Sequence, residues 1–169
     1  MSIKETLEYY GITSVYHFTD KANIETIEQY GLQSLKNIFS LNIPVKYYGA
    51  EELSHRLDHN KGLDKYVHLS FIKDHPMYHV AKSRGNIKNP VWIELDSSIL
   101  YKDSTLFCNK VANQNDANLF RITSVLKYID FNTMLFEKDF NMRKEARKAE
   151  IMAFDSINVN LIKRITYGN

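Results

Sequence analysis

Between Lys148 and Phe154 the chain reads Lys-Ala-Glu-Ile-Met-Ala-Phe. Glu150 marks the point where a basic run (Arg143, Lys144, Arg147, Lys148) gives way to an apolar one. The alternation from Ala149 to Phe154 is that of a buried strand, so this stretch predicts a sheet with an acid at the mouth of one of its core strands. A carboxylate in that place costs desolvation free energy unless a partner or a ligand uses it. On these seven residues alone two readings stand: an edge-strand glutamate paired with Lys148 or Arg147, and a carboxylate kept for chemistry. Two distant stretches, Val15–Asp20 and Tyr66–Met77, favour the second.

The 169 residues make one domain, 1–169, with room for a full core. No apolar run reaches the length of a membrane span, and Met1–Glu5 opens no secretory leader. A lone Cys108 excludes an internal disulfide framework and suits a reducing cytoplasm. The net charge of +2 does not by itself announce a nucleic-acid partner, but eleven Tyr and nine Phe offer stacking surfaces for unpaired bases. Gly-rich phosphate loops of the GxGxxG and Walker types are missing, as is a nucleophilic serine elbow. The pairs His55/His59 and His75/His79 have helical ligand spacing. The first lacks a following Glu and a third ligand, and Pro76 interrupts the second, so no metal site is expected.

In chain order, Lys4–Tyr10 reads as a short helix and Ser14–Thr19 as a strand with His17 near its end. Asp20 caps a helix carrying Ala22, Ile24, Ile27 and Tyr30, which Gly31 stops. Ser34–Gly49 reads as a loop and Ala50–Leu57 as a helical stretch. Tyr66–Phe71 is the clearest strand, followed by a helix over Met77–Ser83 and a strand over Val91–Leu95. A short strand is expected within Ile99–Phe107. Asn109–Asn118 is an exposed loop of hydrogen-bonding side chains, Leu119–Tyr128 and Thr133–Phe140 are helical, and Asn160–Tyr167 is a last strand. The fold class is α+β.

A strand bearing His17, a strand over Tyr66–Phe71 and a strand headed by Glu150, in that order, resemble the ADP-ribosyltransferase fold, a split β-sheet core with short helices. Within it the chain resembles the DarT-like DNA ADP-ribosyltransferases. The matching pieces are Val15-Tyr16-His17-Phe18-Thr19-Asp20 with Asn23 and Gly31-Leu32; Arg56 with Asp64–Phe71 and Pro76-Met77; Phe107–Asn109 to Ala117–Phe120; and Lys148–Ile151. The resemblance implies an enzyme that uses NAD as co-substrate and transfers ADP-ribose to a base, guanine or thymine, in single-stranded DNA, acting as a toxin.

It also implies roles. Glu150 would hold the ribose hydroxyl beside an oxocarbenium-like centre, where preorganised charge counts most. His17, Phe18, Thr19, Asn23 and Leu32 would bind the cofactor. Ser70, Phe71 and Met77 would line its nicotinamide pocket. Arg56 would clamp the pyrophosphate or assist proton removal from the acceptor base, and a permanently charged fork suits the first task better. Asn109, Asn113, Asn115 and Asp116 would read the base, and Arg143, Arg147 and Lys148 would follow the DNA backbone. Lys148 stands two before Glu150, where protein-modifying relatives carry a second acid, and a cation there favours a nucleic-acid acceptor. Ser70 and Asp116 depart from the thymidine-modifying pattern, which leaves guanine and thymine both open. The implied partner is a DarG-like macrodomain antitoxin. The alternatives are transfer to RNA or protein, and a non-catalytic nucleic-acid-binding module.

Overall fold

A computed structural model describes residues 1–49, 58–121 and 125–168. Among them, seven strands form one antiparallel sheet in the order β6-β5-β7-β3-β1-β4-β9. These are β1 (Ser14–Asp20), β3 (Tyr66–Ser70), β4 (Pro90–Asp96), β5 (Leu106–Cys108), β6 (Phe120–Arg121), β7 (Glu150–Phe154) and β9 (Ile162–Tyr167). A two-stranded ribbon joins β2 (Leu32–Gln33) to β8 (Ser156–Ile157). The helices are short: α1 (Ile3–Tyr9), α2 (Ile24–Tyr30), α3 (Leu35–Ser40), α4 (Pro76–Ser83), α5 (Val125–Tyr128), α6 (Phe131–Phe136) and α7 (Phe140–Ala146).

The pairing explains where a ligand can enter. β1 pairs with β4 along its whole length, from Ser14 opposite Asp96 to Asp20 opposite Pro90. β3 pairs with β7 from Tyr66 opposite Phe154 to Ser70 opposite Glu150. Between β1 and β3, however, the register holds at one pair, Tyr16 opposite Ser70. The sheet therefore splits beyond that pair, and a wedge opens between His17–Asp20 and Tyr66–Leu69.

Opposed residues share a face. Tyr16, Ser70, Glu150 and Cys108 form one row across four strands. On the opposite face Leu69, Ile151 and Phe107 line up. There they enter the main core with Val15, Ile93, Leu100, Phe131 and Met134. Met152 and Cys108, on the row's side, pack with Leu63 and Ala112 into a small second core.

Gly31 ends α2 with a positive φ of 73°, and a Cβ there would lie 2.4 Å from the Ile157 carbonyl oxygen. Glycine is thus required both by conformation and by the close approach of β8.

Several expectations change. Ser34–Gly49 follows β2 and contains the helix α3, which the Ser34 hydroxyl caps by accepting from Asn37 N–H. The signal was a serine cap before a weakly periodic stretch, too short to register as helix. The apolar spacings of 119–140 divide among β6, α5 and α6, and α7 starts at Phe140 under its own Asp139 cap. The helical stretch expected over Ala50–Leu57, with His55 and Arg56, lies outside the described residues.

Candidate active site

Glu150 heads β7 and is 8% exposed. Its Oε2 accepts from the Ala112 backbone N–H at 2.9 Å and lies 3.6 Å from Nδ1 of His68. Lys148 pairs with Glu145 and Arg147 with Asp74, so neither neutralises Glu150. Burial alone would raise the Glu150 pKa, but the close approach and charge of His68, the charge of His75 and the Ala112 amide overcome it and hold the carboxyl below its ordinary value. His68 moves the other way. Burial would depress it, yet Glu150 and the nearby charge of Asp58 raise it to about 9. The pair is therefore carboxylate and imidazolium at neutral pH. Oε1 of Glu150 makes no hydrogen bond among the described residues and is the oxygen left for a ligand.

His17 lies at the opening of the wedge. Its Nδ1 is 3.0 Å from the His68 carbonyl oxygen, and because a carbonyl can only accept, Nδ1 carries the hydrogen. Burial holds this imidazole below its ordinary pKa, so it stays neutral and Nε2 keeps a free lone pair. A ring fixed in one tautomer, with an acceptor nitrogen, in a cleft that a buried carboxylate also lines, suits the hydroxyls of a ribose.

The wedge deepens into a cleft of about 260 Å³. His17, Phe18, Thr19, Asn23, Leu32, Ser70, Met77, Asn113 and Glu150 all line it, so the structure brings these sequence-predicted residues together. Their tasks differ. Both ends of the Asn23 amide are engaged: Nδ2 donates to Thr19 Oγ1 and to the Tyr47 carbonyl, and Oδ1 accepts from Lys46 N–H. Asn23 thereby pins the 45–49 segment to the end of β1. The Ser70 hydroxyl donates to the Ile72 carbonyl at 2.6 Å. Phe71 departs from its expected place: it is buried in the main core, stacked on Phe107 and edge-on to Phe131. The cause is strand alternation, since Ser70 on the cleft side sends its neighbour to the other face.

Asn109, Asn113, Asn115 and Asp116 sit on the segment between β5 and β6. The expected exposed loop is in fact anchored, because Val111 and Ala112 are buried and the Ala112 amide reaches Glu150. Lys61 donates to the carbonyls of Ala112 and Gln114, and Lys110 pairs with Asp116. Asn115 and Asp116 face solvent.

The basic run is largely consumed within the chain. Arg143 donates to the Glu137 carbonyl, Arg147 to the Met134 carbonyl and to Asp74, and Lys148 to Glu145. These contacts hold the head of β7 in place, and they leave few of its donors for phosphate.

Three residues that line the cleft were given no role there from sequence. His68 looked like one member of an alternating strand. Asp58 fell just past the helical stretch expected over Ala50–Leu57 and was assigned no element. His75 caps α4, its Nδ1 accepting from Met77 N–H, and is 2% exposed. Its Nε2–H has no hydrogen-bond partner among the described residues, although it faces the Lys148 and Ala149 carbonyls behind Glu150. Among the described residues no group of three His, Cys, Asp or Glu is placed to hold a metal ion, and no helix is long and apolar enough to cross a membrane.

The model of a family described as DarT, ssDNA thymidine ADP-ribosyltransferase, matches residues 16–169. The chain belongs to the DarT family. Its fold matches the Thermosipho africanus DarTG in complex with ADP-ribose at TM-score 0.75 and 17% identity, covering 93% of this chain and 44% of that one. It matches the Thermus sp. 2.9 DarT in complex with ADP-ribosylated ssDNA at TM-score 0.72 and 17% identity, covering 94% and 83%. The same Thermus DarT in complex with NAD+ gives TM-score 0.67 and 16% identity, covering 94% and 83%. No curated protein matches the sequence. The DarT chain described here thus spans less than half of the Thermosipho chain.

Proposed function

We propose that this DarT chain transfers ADP-ribose from NAD+ to thymidine in single-stranded DNA. One observation carries the reading: an ionised glutamate with a free oxygen, Glu150, shares a split-sheet cleft with a neutral His17 of fixed tautomer. Family membership supports the chemistry, and the Thermus complexes with NAD+ and with ADP-ribosylated ssDNA support the substrates.

The residues present fit NAD+. Glu150 Oε1 accepts from a ribose hydroxyl and stabilises the positive charge that develops on the ribose as the nicotinamide bond breaks, a stabilisation strongest in the transition state. His68 keeps that carboxylate charged and oriented. His17 Nε2 accepts from the same sugar and fixes its pose, which lowers the entropic part of the barrier. The apolar walls, with Leu32 and Met77, exclude water from the reacting carbon. Asn113 lines the cleft on the segment bonded to Glu150, which supports a contact with the acceptor base. Because a base must leave its stack to reach such a cleft, the acceptor is single-stranded.

A chain that modifies DNA in this way acts as a toxin and requires an antidote. The DarTG name of the Thermosipho chain, much of which lies outside this match, supports a DarG-like macrodomain partner that removes the modification. The test is incubation with NAD+ and four oligonucleotides, each offering one base in a uniform context, read by mass. The expected result is an ADP-ribose adduct on the thymine oligonucleotide and a loss of about 10²–10³-fold in Glu150→Ala. An adduct on guanine would move the acceptor, one on RNA or protein would move the substrate class, and intact NAD+ with every acceptor would end the reading.

A further inference from the structure

Asp58 is a half-buried acid for which the transfer chemistry above has no task. Its Oδ1 is buried and has no hydrogen-bond partner among the described residues. It lines the same cleft as His17, His68 and Glu150. Among the described residues, the groups that face it are His68 on β3, Glu150 on β7, and Asp64 and Lys61 from the turn before β3. An unpaired carboxylate oxygen in such a place destabilises the fold, so the site that retains it calls for a proton donor that arrives with a ligand.

The geometry points to Asp58 as the catalytic base that takes the proton from the acceptor nitrogen of the DNA base. This role rests on the transferase reading. Thymidine has one ring N–H, at N3. As the bond between ribose and nicotinamide breaks, its electron pair leaves with nicotinamide and neutralises the pyridinium. The N3–ribose bond forms, and the N3 proton passes to an Asp58 carboxylate oxygen and then to water. A carboxylate can accept that proton, whereas a guanidinium keeps its own. Burial, with the negative charges of Glu150 and Asp64, outweighs the cations His68 and Lys61 and raises the Asp58 pKa to about 6. That value makes it a stronger base than an ordinary aspartate, yet one still ionised at pH 7.

The test compares wild type, Asp58→Asn and Asp58→Glu on a thymine oligonucleotide with NAD+. Asp58→Asn should lose about 10²–10⁴-fold in kcat with little change in NAD+ affinity measured by calorimetry. The acid limb of the wild-type profile, falling below about pH 6, should vanish in the variant. Asp58→Glu should restore part of the rate. An oligonucleotide with 5-fluorouracil in place of thymine, whose N3–H is more acidic, should shrink the Asp58→Asn defect. Asp58→Asn should also melt at or above the wild-type temperature at pH 8, since it removes a charge that burial opposes. A variant as fast as wild type overturns the proposal, as does one that loses NAD+ binding and stability together, the mark of a structural aspartate. A wild type that labels no DNA overturns the transferase reading itself, and the base role falls with it.

Discussion

His68 serves the cleft from both ends of one residue: its carbonyl fixes the His17 ring, and its own ring faces Glu150. The ion pair has a defined pH window. His68 is raised from 6.5 to about 9 in the folded chain, so its contribution to stability is fully present below pH 6.5 and is lost as pH rises through about 9. Glu150 is depressed, so its contribution is present above 4.5 and is lost as pH falls through its folded value. The difference in melting temperature between wild type and His68→Gln should therefore be largest near pH 6 and shrink above pH 9. A difference that stays constant across that range would remove the ion pair from the account. At the same scale, imidazole NMR should report His68 titrating near 9 in wild type and well below that in Glu150→Gln, because the carboxylate charge is what raises it.

At the scale of elements, the cleft exists because β1 and β3 each complete their ladders with other strands and meet each other at one pair. Around that split, short connections fix the geometry. Arg147 joins α7 to the end of α6 and to the turn after β3, which holds the head of β7 beside the cleft. The turn from α2 into β2 depends on Gly31, where a methyl group would strike the Ile157 carbonyl. Gly31→Ala should cost about 1–3 kcal/mol, combining a strained left-handed backbone with the clash. Chemical denaturation would measure it, and a loss within 0.5 kcal/mol, the scale of a neutral surface change, would show that β8 can give way. Leu32, next in sequence, lines the cleft, so the same variant should also weaken NAD+ binding.

At the scale of the whole molecule, the charge of +2 and the internal pairing of Arg143, Arg147, Lys148 and Lys110 leave few cations for a phosphate backbone, so any electrostatic hold on DNA should be weak. Binding of a single-stranded oligonucleotide should fall by less than about tenfold between 50 and 200 mM salt, the slope of one or two phosphates. A steeper fall in a filter or fluorescence titration would mean that these cations exchange their internal partners for phosphate. The same pairing shows what the sequence by itself determined. Alternation around Glu150, His17 and Tyr66–Phe71 was enough to read their strands and to set an acid at the head of one, because strand period is a local property, while the transferase reading rested on the family resemblance that those pieces carry in that order. Which partner each charge takes was not legible there. Glu150 meets His68 rather than Lys148, Phe71 turns to the core, and Asp58 reaches the cleft with one oxygen unpaired among the described residues, because strand register and the packing of remote segments decide which side chains share one volume. Only the tertiary structure brings those segments together, and burial then decides which groups keep their charge.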